Sequence, residues 1–286
     1  MKNALFLFLV LLISSCTKIE DIIVGDNTLP PDYTIENTTI ENYINKLYIS
    51  TIGREPTEAE FTTDFNLLRN ANLSQKSREI VIDGILNKSE YSFNLFTLES
   101  ANILNSVDTA MINERISSYQ QFLLVTTNFL DSIYVANELE RKLSFQNSLA
   151  AFYLGTTTIT ELYRAMANNI FFDEINMGTE NFVVAMFQHF LSRYPTDSEL
   201  ESAKDMVDDK NATLFFETGN GKNDFLDIFF TSNEYFTGQT NILFNRYLFR
   251  NPSSEESVNY SLDYINTGDY KSLQKRILSS DEFIGL

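Results

Sequence analysis

The chain has 286 residues, a formal net charge of −18 and 43% hydrophobic residues, including 24 Phe and 14 Tyr but no Trp. A surface this acidic repels phosphate groups, which argues against direct binding to nucleic acid or to anionic lipid headgroups. One cysteine excludes an intrachain disulfide, and the length suffices for one large domain or two small ones.

The N-terminus has the pattern of a signal peptide, which we assign to residues 1–15. Lys2 precedes an apolar run at residues 4–13 that is too short to span a bilayer as a helix. The run ends in "ISSC", residues 13–16, which resembles a bacterial lipobox. The resemblance implies lipidation of Cys16, palmitate included, and cleavage before it, and two or more acyl chains anchor a protein stably to a membrane.

Residues 16–38 are polar, include Pro30 and Pro31, and show no helical period, which predicts a flexible tether. Thr17 follows the cysteine instead of an aspartate. By its similarity to known sorting rules, this favours a lipid anchor in the outer membrane, with the body either periplasmic or exposed at the cell surface.

Beyond the tether, apolar residues recur at intervals of three and four, as in the series Ile44, Tyr48 and Ile52. This is the period of amphipathic helices, and Gly and Pro are scarce. We therefore predict an all-α fold of about twelve or thirteen helices joined by short turns.

One short motif occurs three times: Arg, any residue, Pro, Ser or Thr, two residues, Glu. The hydroxyl and the glutamate have capping-box spacing, and Pro disfavours a helical conformation in the residue before it. The motif therefore predicts a helix end, a sharp turn and a helix start. The three copies begin at Arg54, Arg193 and Arg250, and a fourth capping box without the arginine combines Thr158 and Glu161.

A second phrase follows each copy: "KSEY" at 88–91, "SNEY" at 232–235 and "SDEF" at 280–283. We expect it to end a helix, and a degenerate copy ending at Phe171 has Ile170 in place of the glutamate. The arginines could form an anion-binding row, but we favour structural ion pairs. The predicted pairs are Arg54 with Glu90, Arg193 with Glu234, and Arg250 with Glu282.

These phrases divide the chain into repeat 1 at residues 39–97, a helical hairpin with a degenerate repeat at 98–178, and repeats 2 and 3 at 179–286. The predicted architecture is thus an irregular helical array of about three degenerate helix-turn-helix repeats with an inserted hairpin.

The stretch "KLYISTIGREPTEAEF", residues 46–61, together with "KSEY", resembles an uncharacterised helical repeat domain of secreted and surface bacterial proteins. Its units begin Leu-Tyr-x4-Gly-Arg-x-Pro and end Ser-x-Glu-Tyr/Phe. The later units depart from this pattern, with Ser192 and Phe249 in place of the glycine. The resemblance implies a helical fold and a surface location, and it implies no activity.

Residues that could support catalysis are few. His189, the only histidine, is expected at an exposed position, and the glycine-containing loop at 217–224 lacks a P-loop pattern and is expected to be a flexible connection. With 39 acidic residues, the sequence cannot single out a catalytic carboxylate pair. We therefore predict no enzymatic activity, no metal and no cofactor.

The functional prediction is a lipoprotein that acts as a binding or scaffolding accessory subunit of an envelope complex. The expected partners are the membrane, through Cys16, and an envelope protein or a surface glycan, with no nucleic acid. Two alternatives stay open: an acid-dependent carbohydrate-active enzyme, and a spacer without a specific ligand.

Overall fold

A computed structural model describes residues 35–286 of the chain. The signal peptide, Cys16 and the tether up to residue 34 lie outside the described residues. The first helix begins at Asn37, so the last two residues assigned to the tether already belong to it.

Within residues 35–286 there are fifteen α-helices and one β-hairpin, so the all-α prediction is confirmed. In chain order they are α1 Asn37–Ile52, α2 Glu58–Asn70, α3 Gln75–Leu86, α4 Ser89–Ile103, α5 Thr109–Val125, α6 Phe129–Tyr153, α7 Ile159–Ala167, α8 Ile170–Ile175, α9 Thr179–Met186, α10 Asp197–Val207, β1 Ala212–Leu214, β2 Glu217–Gly219, α11 Lys222–Thr231, α12 Asn233–Leu248, α13 Ser254–Thr267, α14 Tyr270–Leu278 and α15 Asp281–Ile284. A π-helical segment, Phe187–Leu191, continues α9.

The ends of the described region pack against each other. The Tyr43 hydroxyl on α1 donates to the Leu278 carbonyl at 3.1 Å, and Lys46 Nζ donates to the Phe283 carbonyl at 2.7 Å. Phe283 also packs edge-on against Tyr43, with ring centroids 6.0 Å apart. The repeats therefore close on themselves around a shared core and do not form an open stack.

Aromatic side chains fill the core of the second half. Phe190 meets Phe230 with centroids 5.1 Å apart, and Phe187 meets Phe229 at 5.5 Å, both edge to face. Such contacts add to the area that the rings bury. Gly238 lets α12 approach the π segment closely, since a Cβ there would lie 2.5 Å from the Leu191 Cα.

The residue before each repeated arginine adopts a left-handed conformation that ends the preceding helix. Its φ is +74° at Gly53, +55° at Ser192 and +56° at Phe249. Glycine takes this conformation freely, whereas residues with a Cβ pay a steric cost. This explains the glycine of the Gly-Arg-x-Pro pattern and shows that repeats 2 and 3 tolerate strain there.

Three sequence expectations need correction. The phrases "KSEY", "SNEY" and "SDEF" begin helices α4, α12 and α15 instead of ending helices, and in the last two the serine is the N-cap. The expected loop at 217–224 is split between strand β2 and the start of α11, because β1 and β2 pair as an antiparallel hairpin. The helices outnumber the predicted twelve or thirteen because short ones, such as α8 and α15, carry too little periodicity to be recognised.

No described helix is both long enough and apolar enough to cross a membrane.

We expect Phe249→Gly to raise the free energy of unfolding by about 0.5–1 kcal/mol. Removing the left-handed strain stabilises the folded state by more than the extra conformational entropy of glycine stabilises the unfolded chain. Phe249 is 83% exposed, so little packing is lost. Urea unfolding measures the change.

Tyr194→Gly is the matched control, since Tyr194 is also an exposed aromatic in the repeated motif but is absent from the positive-φ residues. It should lower stability, because glycine there only adds freedom to the unfolded chain. Destabilisation by Phe249→Gly would contradict the strain assignment.

Candidate functional site

Each repeated arginine lies at the centre of a cluster that joins the start of one helix to the start of another. In the third copy, Arg250 Nη1 and Nη2 donate to the two oxygens of Glu256 at 2.9 and 2.7 Å. Nε and Nη2 donate to Glu282 at 2.6 Å each, and Nη1 donates to the Asn251 carbonyl at 3.0 Å. One guanidinium therefore ties α13 to α15.

The other two copies repeat this geometry. Arg54 donates to Glu60 at 2.7 and 2.9 Å and to Glu90 at 3.1 Å. Arg193 donates to Glu199 at 2.8 and 2.7 Å and to Glu234 at 2.9 Å. The three ion pairs predicted from the sequence are thus all present.

The capping glutamates are arginine partners that the sequence analysis missed. Glu60, Glu199 and Glu256 each accept from the backbone N–H of their N-cap residue at 2.7–2.8 Å, so each serves the cap and the arginine together. A constant spacing of six residues between Arg and Glu in every copy was the available signal. The sequence separation between each arginine and its second glutamate varies from copy to copy and carries no such signal.

An aromatic ring lies beneath each guanidinium and completes the cluster. The Arg Cζ atoms lie 5.7 Å from the Tyr48 ring centroid, 5.1 Å from that of Phe187 and 5.3 Å from that of Phe244. Cation–π attraction adds to the ion pairs at this distance. Each guanidinium thus has two carboxylates, a carbonyl and a ring from its own chain, which supports a structural role over an anion-binding row.

The electrostatics of the clusters are visible in their carboxyl groups. Hydrogen bonds from Arg250 lower the pKa of Glu256 to about 2. In the other two clusters, hydrogen bonds from the repeated arginine likewise lower the pKa of Glu60 and of Glu199. Because these groups are held as carboxylates, they are poor candidates for a general acid at neutral pH.

The degenerate unit uses its acidic residues differently. Thr158 and Glu161 form the predicted capping box without an arginine, and α8 begins after the N-cap Asn169. On α8, Asp173 accepts from Arg141 at 2.7 Å and from Lys222 at 2.6 Å. Glu174 pairs with Arg115 at 2.8 Å. Helix α8 therefore fastens the base of the α5–α6 hairpin to the body.

His189 is not exposed as expected. It is half-buried, with its ring 6.2 Å from Phe172 and 6.5 Å from Phe190, and burial lowers its pKa. Burial thus favours the neutral imidazole. Among the described residues, no group of three His, Cys, Asp or Glu side chains is placed to hold a metal ion.

Two large grooves of the described region flank α6. One, of about 650 Å³, has a mostly apolar or small lining that includes Leu123, Leu139, Leu143 and Glu140. The other, of about 550 Å³, is lined by Glu140 and Glu161 among polar groups. Glu161 is engaged as a cap, with its pKa lowered by hydrogen bonds from Thr157 and Thr158.

The outer part of the α5–α6 hairpin, residues 117–134, packs little against the rest of the described chain. None of its residues is buried, although the helices on either side contribute Ile112, Ile116 and Val135 to the interior. It exposes seven large apolar or aromatic side chains: Phe122, Leu124, Val125, Phe129, Leu130, Ile133 and Tyr134. We call residues 117–134 the hairpin tip.

No model of a known protein family, no curated protein and no solved structure matches this chain. The resemblance of residues 46–61 and 88–91 to a bacterial helical repeat domain therefore stays a prediction. Function has to be inferred from the hairpin tip, the arginine clusters and the N-terminal sequence.

We predict that Arg250→Gln lowers the free energy of unfolding by about 1–2 kcal/mol at pH 7, because it removes charge-assisted hydrogen bonds from a partly exposed cluster. Glu256 has a folded-state pKa of about 2, below its unfolded value of about 4.3. Its stabilisation is thus complete above the unfolded pKa and is lost as the pH falls through the folded pKa. The difference between wild type and variant should therefore shrink between about pH 5 and pH 2.

Lys210→Gln is the control, because Lys210 pairs with Asp205 at 2.6 Å but is well exposed. It should leave stability close to that of the wild type, because an exposed ion pair contributes little. Equal effects of the two substitutions at pH 7 in urea titrations would show that the Arg250 cluster contributes no more than an ordinary surface pair.

Proposed function

We propose that this protein is an envelope lipoprotein, anchored through Cys16 to the outer membrane, and that its helical body acts as a binding or scaffolding accessory subunit. The observation that carries the proposal is the hairpin tip. It projects from a body whose repeated charges are internally paired, and it presents apolar side chains that the body does not cover.

Apolar side chains grouped in this way support a role in attachment. Isolated exposed apolar residues are ordinary, but a contiguous group on a soluble surface favours an interaction site. The hairpin is held at its base by Arg115 and Arg141 through α8, so the tip is presented on a fixed helical support. A role as a spacer without a ligand would not explain why these apolar side chains are exposed.

The acidic composition supports the choice of partner class. With a net charge of −18, the protein is repelled by phosphate-rich polymers. An envelope protein or a neutral glycan is not repelled in this way. The groove beside α6 that contains Leu139 and Leu143 is a second apolar surface for such a partner.

We expect Cys16→Ala to abolish incorporation of labelled palmitate and to release the protein from the membrane fraction, because Cys16 is the lipidated residue in the proposed anchor. Ser14→Ala preserves a small side chain before the cysteine and should leave labelling intact. Full labelling of the Cys16→Ala variant would contradict the anchor assignment.

We expect Leu124→Gln combined with Phe129→Gln to reduce, by at least tenfold, the recovery of crosslinked envelope components with the anchored protein. Both side chains are strongly exposed at the hairpin tip, and truncating central apolar anchors weakens interfaces most. The readout is quantitative recovery after crosslinking in intact envelopes and mild detergent extraction.

The matched control combines Val258→Gln and Leu262→Gln, two exposed apolar residues on α13. It should leave recovery unchanged. Equal losses for both double variants, or none for either, would remove the hairpin tip as the attachment element.

A further inference from the structure

The hairpin tip differs from the rest of the chain in its charge. Residues 116–137 contain one charged side chain, Asp131, whereas the chain as a whole is 21% charged. At that average, a window of this length would contain about five charges. The charged residues resume at the base of the hairpin, where Arg115 pairs with Glu174 and Arg141 pairs with Asp173.

The side chains at the tip are ordered by polarity. Leu124, Val125, Phe129 and Leu130 surround the turn and are between 73% and 85% exposed. Tyr134 lies about one helical turn further back and is half-exposed, with a hydroxyl on its ring. An element that enters a membrane interface carries apolar residues outermost and an amphipathic aromatic residue behind them. The tip has this order.

Several backbone N–H groups of the turn are paired within the turn. Asn128 Oδ1 accepts from the N–H groups of Leu130 at 3.0 Å and Asp131 at 3.4 Å, and the Thr126 N–H donates to the Phe122 carbonyl at 2.9 Å. A turn that leaves water needs such internal partners, because lipid offers none.

From these features we infer that the hairpin tip inserts into the interfacial region of a lipid bilayer and gives the protein a second membrane contact. The inference rests on the proposed function in so far as the anchor at Cys16 brings the body to that membrane. A protein partner is the less favoured occupant of the tip itself, because protein interfaces are enriched in Arg, whereas Asp131 is the one charged side chain in residues 116–137. The apolar groove beside α6 stays available to the envelope partner of the proposed function.

The chain between anchor and body is long enough for both contacts. Residues 16–34 reach at most about 65 Å when fully extended, at roughly 3.4 Å per residue. Helix α6, with 25 residues, is about 38 Å long at 1.5 Å per residue. Tip and anchor can therefore reach the same bilayer, and two weak membrane contacts on one chain reinforce each other.

Asp131 limits how deeply the tip enters. It lies in the first turn of α6, where the helix N-terminus stabilises a carboxylate. We place it at headgroup depth, with only the four outermost side chains beyond it. Because the whole protein is strongly acidic, binding driven by apolar burial should be strongest on neutral lipid and should not depend on anionic lipid.

The chain has no tryptophan, so Phe129→Trp introduces a unique fluorescent reporter at the tip. We would use the chain from residue 16 with Cys16→Ser, which removes the acyl anchor, and titrate it with neutral phosphatidylcholine vesicles. The expected result is a blue shift of the emission and co-flotation with the vesicles. Tyr194→Trp, at an exposed site in the repeat 2 turn, should show no shift.

Adding Leu124→Ser and Leu130→Ser to the reporter protein should weaken vesicle partitioning by at least tenfold. Val258→Ser with Leu262→Ser on α13 should leave it unchanged. Circular dichroism checks that all variants retain their helix content, which is expected because the substituted side chains are exposed.

An unshifted emission with neutral vesicles, or binding that appears only with anionic lipid, would overturn the inference. If vesicles fail while envelope crosslinking at the tip recovers a protein, the tip binds that protein, and the proposed function survives without the lipid contact. If vesicle binding succeeds while Cys16 shows no acylation, the lipid contact stands and the anchor fails.

Discussion

The fold depends on one arrangement that it uses three times: an arginine shared by two glutamates from different helices. The first glutamate already accepts from the N-cap N–H, so the arginine secures the start of one helix and draws in the start of another. The arginine side chains are about one-third exposed. An isolated pair at that exposure is worth little, but bidentate geometry and a shared network strengthen these contacts.

Closure of the body follows from where these clusters lie. The third cluster ends at Glu282, next to Phe283, whose carbonyl accepts from Lys46 on α1. The last repeat is thereby packed against the first. The α5–α6 hairpin contains no such arginine cluster and is held instead by α8 through Asp173 and Glu174. Its tip contributes no buried residue to the core.

Much of this could be predicted from the sequence, because local rules govern it. The helical period gave the fold class, the capping boxes gave the helix starts, and the second phrase gave the glutamates that Arg54, Arg193 and Arg250 contact. What was missed depends on tertiary contact or on backbone conformation. The approach of Gly238 to the π segment, the burial of His189 beside Phe172 and the left-handed φ of Phe249 leave no periodic signal. The second phrase begins helices instead of ending them, because the serine of its later copies caps the helix that follows.

Arginine and capping glutamate act as one unit, and a double-mutant cycle between Arg193 and Glu199 measures the coupling between them. The single variants Arg193→Gln and Glu199→Gln and their combination would be compared by urea unfolding at pH 7. We predict a coupling energy of about 1–2 kcal/mol, because each substitution leaves the other partner without its charge-assisted bonds. Additivity within about 0.3 kcal/mol, the behaviour of independent sites, would contradict the account.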